Sequence, residues 1–264
     1  MPLARCDEGR VYYEDTGGDG PAVFLAHGYG LDHSMFAGQA ALAPRWRVIT
    51  WDARGHGRTE SDGQPFTYWD LARDLLCLMD ALDVAQATVG GVSQGGFISL
   101  RAALLAPERV SSLLLFDTEA SACSPEDLAG YSQMFAAFAE RGPVEELVKP
   151  LSAQIVGDHP EADRWAEHWS LHGFPLGEPA ACLLGRDDIV SRLGEIRCPA
   201  LLVRGERDAS IPWGRMAVLQ EKMVNATPIH VIVGAGHSPP LTHSAETNAV
   251  VDRFLSDHGG SAAA

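Results

Sequence analysis

The chain has 264 residues, 46% hydrophobic and 21% charged, a balance that suits a folded domain and excludes a disordered one. Lys and Arg number 20 against 35 Asp and Glu, and the formal net charge of −15 argues against nucleic acid or an anionic membrane as partner. No apolar run is long enough to span a bilayer, and the N-terminal MPLARCDEGRVYYED carries charges where a secretion signal needs an apolar core. The five cysteines (Cys6, Cys77, Cys123, Cys182, Cys198) are odd in number and never spaced as CxxC. They predict free thiols in a cytoplasmic protein, with neither a disulfide framework nor a zinc site.

Short β-rich runs predict strands at 10–14, 22–26, 47–51, 87–92, 110–116, 200–203 and 229–233. Several are almost continuously apolar (AVFLA, SLLLF, ALLV), as strands covered on both faces of a parallel sheet must be. Between them, Leu71, Leu75, Leu78, Met79 and Leu82 recur at helical spacing over 67–83, and a second helix follows Ser93 and ends near Pro107. This alternation predicts an α/β fold with a mostly parallel, doubly wound sheet and helices on both faces. From 121 to 186 the strands stop and the sequence turns helical and aromatic (YSQMFAAFAERG, DRWAEHWSLHGF). The expected organisation is therefore a core of 1–120 and 187–258, a helical cap inserted at 121–186, and a flexible tail, GGSAAA, at 259–264.

The stretch TVGGVSQGGFISL (88–100) runs from a strand into a helix through a serine crowded by glycines. A phosphate loop would need a lysine where Phe97 stands, and the glycines at 90, 91, 95 and 96 do not give GxGxxG. What matches is G-x-S-x-G, as Gly91-Val92-Ser93-Gln94-Gly95: a sharp turn that exposes a nucleophile needs small flanking residues. The helix that follows aims N–H groups and its positive end at the site, which favours a developing oxyanion.

A serine hydroxyl needs a base, and the base an orienting acid, both expected later in the chain on loops after strands. Asp208 in LLVRGERDASIP and His237 in VIVGAGHSPPL occupy those places, with Asp117 and Glu119, after the LLLF strand, as rival acids. The oxyanion donors expected are the backbone N–H of Gln94 and that of Tyr29 in the turn His27-Gly28-Tyr29-Gly30. The side chain of His27 is read as structural.

With these pieces in place the sequence resembles the α/β-hydrolase superfamily along nearly its whole length: HGYG, WDARGHGRT, GVSQGG, GERDASIP and GAGHS follow in order. WDARGHGRT implies architecture, so Asp52 and His56 receive no catalytic part. The chain looks most like the 3-oxoadipate enol-lactonase and related small serine esterases, through RVITWDARGHGRT, DLLCLMDALDV, APERVSSLLLFDTEA and PAACLLGRDDIVSRLGEIRCPALLVRGERD. It departs from those lactonases in having Gln94 where they usually carry methionine, which makes Gln94 a candidate for substrate choice. Their substrate is anionic, whereas this insertion offers few cationic anchors (Lys149, Arg164, Arg192).

The resulting expectation is a metal-independent, cofactor-free serine hydrolase acting on a small carboxylic ester or lactone. Its alternatives are carbon–carbon bond hydrolysis of a vinylogous diketone, perhydrolysis, acyl transfer and a non-catalytic ligand-binding protein. Elbow serine rather than aspartate disfavours epoxide hydrolysis and dehalogenation. An aromatic roof over the serine predicts an apolar or ring-containing substrate, with His33, Phe135, Phe138, Trp165 and Trp169 as lining candidates and His168, His172 and Phe174 as further ones.

Overall fold

A computed structural model describes residues 3–6 and 9–258. The chain opens with β1 (Leu3–Cys6), β2 (Gly9–Asp15), β3 (Ala22–Ala26) and β4 (Arg47–Trp51). Then come α1 (Tyr68–Ala81), β5 (Ala87–Val92), α2 (Gln94–Leu105) and β6 (Val110–Phe116). Four helices follow without a strand: α3 (Pro125–Arg141), α4 (Glu145–Val156), α5 (Glu161–His172) and α6 (Glu178–Leu184). The rest is β7 (Ala200–Gly205), α7 (Trp213–Lys222), β8 (His230–Ile232), the single turn α8 (Pro239–Thr242) and α9 (Ser244–His258). The proposed tail at 259–264 lies outside the described residues.

The eight strands form one sheet in the order β1-β2-β4-β3-β5-β6-β7-β8. β1, β2 and β4 pair antiparallel, and every other neighbour pair is parallel. Every residue of β3 and β7 is buried, as is every residue of β6 but Ser111, which accounts for the nearly continuous apolar runs AVFLA, ALLV and SLLLF. α1 begins at a capping box in which the Thr67 N–H donates to Asp70 Oδ2 (2.8 Å) and the Asp70 N–H to Thr67 Oγ1 (3.4 Å). Leu71, Leu75, Leu78 and Met79 then bury one face of the helix. α2 is buried from Gln94 to Ala103, so its apolar character runs all the way round rather than along a stripe. No helix among the described residues is long and apolar enough to cross a membrane.

Two expectations need correction. β1 has no counterpart in the sequence reading, because LARC is too short and too mixed to show a period; its pairing with β2 defines it. The expectation of free thiols fails for one pair: Cys6 at the end of β1 is disulfide-bonded to Cys77 of α1, with 5.8 Å between the Cα atoms. The two are 71 residues apart and meet only because α1 packs over the first strand. Cys123, Cys182 and Cys198 are free.

Candidate active site

Ser93 sits between β5 and α2 with φ 53° and ψ −111°, a strained conformation that non-glycine residues rarely adopt. The turn is locked from both sides: Ser93 N–H donates to Phe116 O (2.9 Å), and Thr118 Oγ1 donates to Ser93 O (2.7 Å). A Cβ on Gly91 or Gly95 would overlap Ala26 O of β3, and one on Gly96 would overlap Thr118. The small residues around the serine are thus dictated by the neighbouring strand and loop. As first residue of α2, Gln94 has an N–H with no carbonyl one turn earlier in the helix to receive it.

His237 and Asp208 follow β8 and β7, and His237 Nδ1 lies 2.9 Å from Asp208 Oδ1. The same oxygen accepts the N–H groups of Ser210 (2.8 Å) and Ile211 (3.2 Å), so the loop after β7 folds around its own carboxylate. Arg204 Nη1 lies 3.2 Å from Asp208 Oδ2, and Arg204 Nη2 donates to Asp208 O (3.2 Å). Burial would raise the Asp208 carboxyl, but the pairing with His237 and the hydrogen bond from the Ser210 N–H bring it down to about 2.

Asp117, the rival acid, lies within 4.8 Å of both Asp208 and His237 but makes no hydrogen bond to His237, whose Nδ1 pairs with Asp208. It is fully buried, takes the Gly205 N–H on Oδ1 (2.9 Å), and holds a left-handed backbone at φ 42°. Burial, then the adjoining Asp208 charge, raises its carboxyl well above the usual carboxylate range. Beside Asp208, whose carboxyl is lowered, Asp117 is thus the member of the pair that holds its proton more tightly. Glu119, the other rival, points to Arg186 Nη2 (2.7 Å) and Arg215 Nη1 (3.1 Å).

The loop after β3 carries Tyr29 to the same place. His27 beneath it accepts the Ala53 N–H on Nε2 (3.0 Å), so its Nδ1–H donates to Gly28 O (2.8 Å). Burial lowers the His27 pKa, and the neutral ring acts as a strut. Asp52 has a matching part: its Oδ1 accepts the His33 N–H (2.7 Å) and Nδ1 (2.8 Å), and its Oδ2 the Arg58 N–H (2.8 Å). Asp32, His33 and Asp52 are close enough to share an ion, but their oxygens are taken up by these bonds and by the Asp32 cap on Ser34.

Ser93, His237 and Tyr29 open on one cavity of about 600 Å³. Of the lining candidates, Phe138 faces it, as does Phe174. The other six do not. Phe135 is buried against Tyr29 (5.5 Å between centroids), and Trp165 packs within α5 on His168 and Trp169. Trp169 donates its indole N–H to Gly30 O (2.6 Å), holding the Tyr29 loop from behind. Trp169, His33, His168 and His172 line a separate polar cavity of about 590 Å³. The reason is periodicity: shared spacing on a helix shows that residues share a face, but not whether that face meets the pocket or the core.

Gln94 also differs from expectation. Its side chain is buried and accepts from Tyr68 Oη (3.3 Å), away from the cavity, so it does not meet a substrate there. Lys149, Arg164 and Arg192 are absent from the cavity wall, and two arginines passed over in the sequence, Arg186 and Arg215, are present. Their signal was positional only: one ends the helical insertion, and the other opens the helix after the Asp208 loop.

An eight-stranded, mostly parallel sheet with an elbow serine at the head of α2 defines the α/β-hydrolase class. A family model for the alpha/beta hydrolase fold matches residues 21–148. The chain belongs to the α/β-hydrolase family. It is 34% identical to the pimeloyl-[acyl-carrier protein] methyl ester esterase of Chromobacterium violaceum, over 88% of this chain and 92% of the relative. It is 33% identical to the dihydrolipoyllysine-residue acetyltransferase component of the acetoin cleaving system of Pseudomonas putida, over 94% of this chain but 66% of that longer protein. Among solved structures, the enol-lactonase of Burkholderia xenovorans LB400 superposes with a TM-score of 0.86 at 25% identity, over 97% of this chain and 100% of that one.

Proposed function

We propose that this protein is a serine hydrolase that cleaves a small carboxylic ester or lactone through an acyl-enzyme, with Ser93, His237 and Asp208 as its triad. The observation that carries the reading is that His237, paired with Asp208 at 2.9 Å, opens with the elbow serine on one cavity. With Nδ1–H given to Asp208, the lone pair of His237 Nε2 is left to take the Ser93 proton as Oγ attacks the carbonyl carbon. The backbone N–H groups of Tyr29 and Gln94 receive the oxyanion. Collapse expels the alcohol, which takes its proton from His237. A water then gives its proton to His237, attacks the acyl carbon and releases the acid, restoring Ser93.

The helices α3 to α6 act as a cap in this reading, supplying Tyr131, Met134, Phe138 and Leu151 as an apolar roof over the serine. Relatives named as a methyl ester esterase and an enol-lactonase agree with ester or lactone substrates. A cytoplasmic setting belongs to the same reading, supported by the three free thiols and opposed by the Cys6–Cys77 bond. Turnover of p-nitrophenyl esters tests the proposal: Ser93→Ala is expected to lower kcat by about 10⁴-fold or more. Unchanged turnover in that variant would rule it out.

A further inference from the structure

The cavity contains two arginines, and the resemblance to lactonases with an anionic substrate makes them the obvious carboxylate anchors. We propose the opposite: the site selects acyl groups without negative charge and turns away substrates that carry a carboxylate. The proposal rests on the hydrolase reading and deepens it.

Both guanidinium groups are already engaged by the chain itself. Arg186, its side chain only 2% exposed, donates Nε to Ser121 O (3.0 Å), Nη1 to Cys123 Sγ (2.8 Å) and Nη2 to Glu119 Oε1 (2.7 Å). Arg215 directs Nη1 to Glu119 (3.1 Å) and Asp127 (2.6 Å), and Nη2 to Ser124 Oγ (3.2 Å). These bonds join the residues that follow β6, the start of α3, the segment after α6 and the head of α7. The arginines therefore fasten both ends of the helical insertion to the core.

The charges that remain are acidic. Glu119 and Asp127 match the two arginines one for one. Glu126 and Glu146 also line the cavity, and among the described residues Arg141, 3.5 Å from Glu146, is the one cation paired with either. Both helix N-termini at the rim carry acidic residues in their first turn, and only α3 also has a side-chain cap. α3 starts with Glu126 and Asp127 and is capped by Ser124, and α4 starts with Glu145 and Glu146. Around these lie apolar side chains such as Met134, Leu151, Phe174 and Leu183. A substrate carboxylate would leave water, find each guanidinium already hydrogen-bonded, and meet an excess of negative charge.

A matched pair of p-nitrophenyl esters of a six-carbon diacid tests this, one with its far carboxylate free and one with it methylated. The expected result is kcat/KM at least tenfold higher for the methylated ester. That ratio should shrink by more than threefold in Glu126→Gln/Glu146→Gln, and also in high salt. Equal or better turnover of the free carboxylate overturns the proposal, as does a ratio indifferent to both changes. Titrating both esters into Ser93→Ala, followed by tryptophan fluorescence, reads the same preference without turnover. Failure of hydrolysis is thereby distinguished from failure of the charge rule.

Discussion

At the scale of single residues, the two aspartates separate by the proton each holds. Asp208→Asn should lower kcat by about 10⁴-fold, because an amide at that place stabilises the wrong His237 tautomer. Asp117→Asn should cost less than about tenfold, since the amide N–H replaces the acid O–H toward Asp208 and its oxygen still receives the Gly205 N–H. Steady-state kinetics of the two variants checks this, and equal losses would contradict the division of labour. Asp117 also leaves a mark on stability. Its carboxyl is raised, so the folded chain keeps a proton that the unfolded chain releases above about pH 4. Stability from this group is full below that pH and falls as pH rises toward the folded value. Asp208, held down at about 2, works the other way: its contribution is present above about pH 4 and is lost as pH falls toward 2. Relative to Asp117→Asn, the wild type should lose about 1.4 kcal/mol per pH unit above pH 4 until Asp117 ionises, as measured by denaturant unfolding. Parallel curves would show that Asp117 is ionised in the folded chain.

At the scale of elements, the insertion depends on its clamp. Glu119→Ala leaves Arg186 and Arg215 without their shared partner, and removing one member of a buried pair costs about 3–5 kcal/mol. For a chain of this length the Tm should fall by about 5–9 °C, measured by thermal unfolding. A Tm unchanged by the substitution would remove the clamp from the account. The sequence showed the elements unevenly. Strands β2 to β8 were readable, β3, β6 and β7 most clearly because strands buried on both faces are nearly continuous in apolar residues, and α1 because one apolar face repeats at helical spacing. The elbow was readable because Ala26 O and the Thr118 side chain crowd Gly91, Gly95 and Gly96, leaving a compositional trace. The lining of the cavity was not. Phe135, Trp165 and Trp169 have the same helical spacing whether they roof a pocket or pack a core. Arg186 and Arg215 lie 29 positions apart and meet only at Glu119.

At the scale of the whole molecule, long-range contacts carry what local pattern omits. The Cys6–Cys77 bond closes 71 residues, for which chain entropy gives about 4 kcal/mol as an upper figure. Thermal unfolding with and without a thiol reductant should therefore differ by several degrees, the reduced chain being the less stable; identical curves would mean that the bond contributes nothing. The proposed triad draws on the same scale, with Ser93, Asp208 and His237 in the turns after β5, β7 and β8. The central claim is that Ser93 is the nucleophile. Its most direct test is peptide mass mapping after reaction with an alkyl fluorophosphonate, alongside loss of ester hydrolysis. The account predicts one adduct, on the peptide holding Ser93, formed in step with the loss of activity. An adduct elsewhere, or full activity with Ser93 modified, would contradict it.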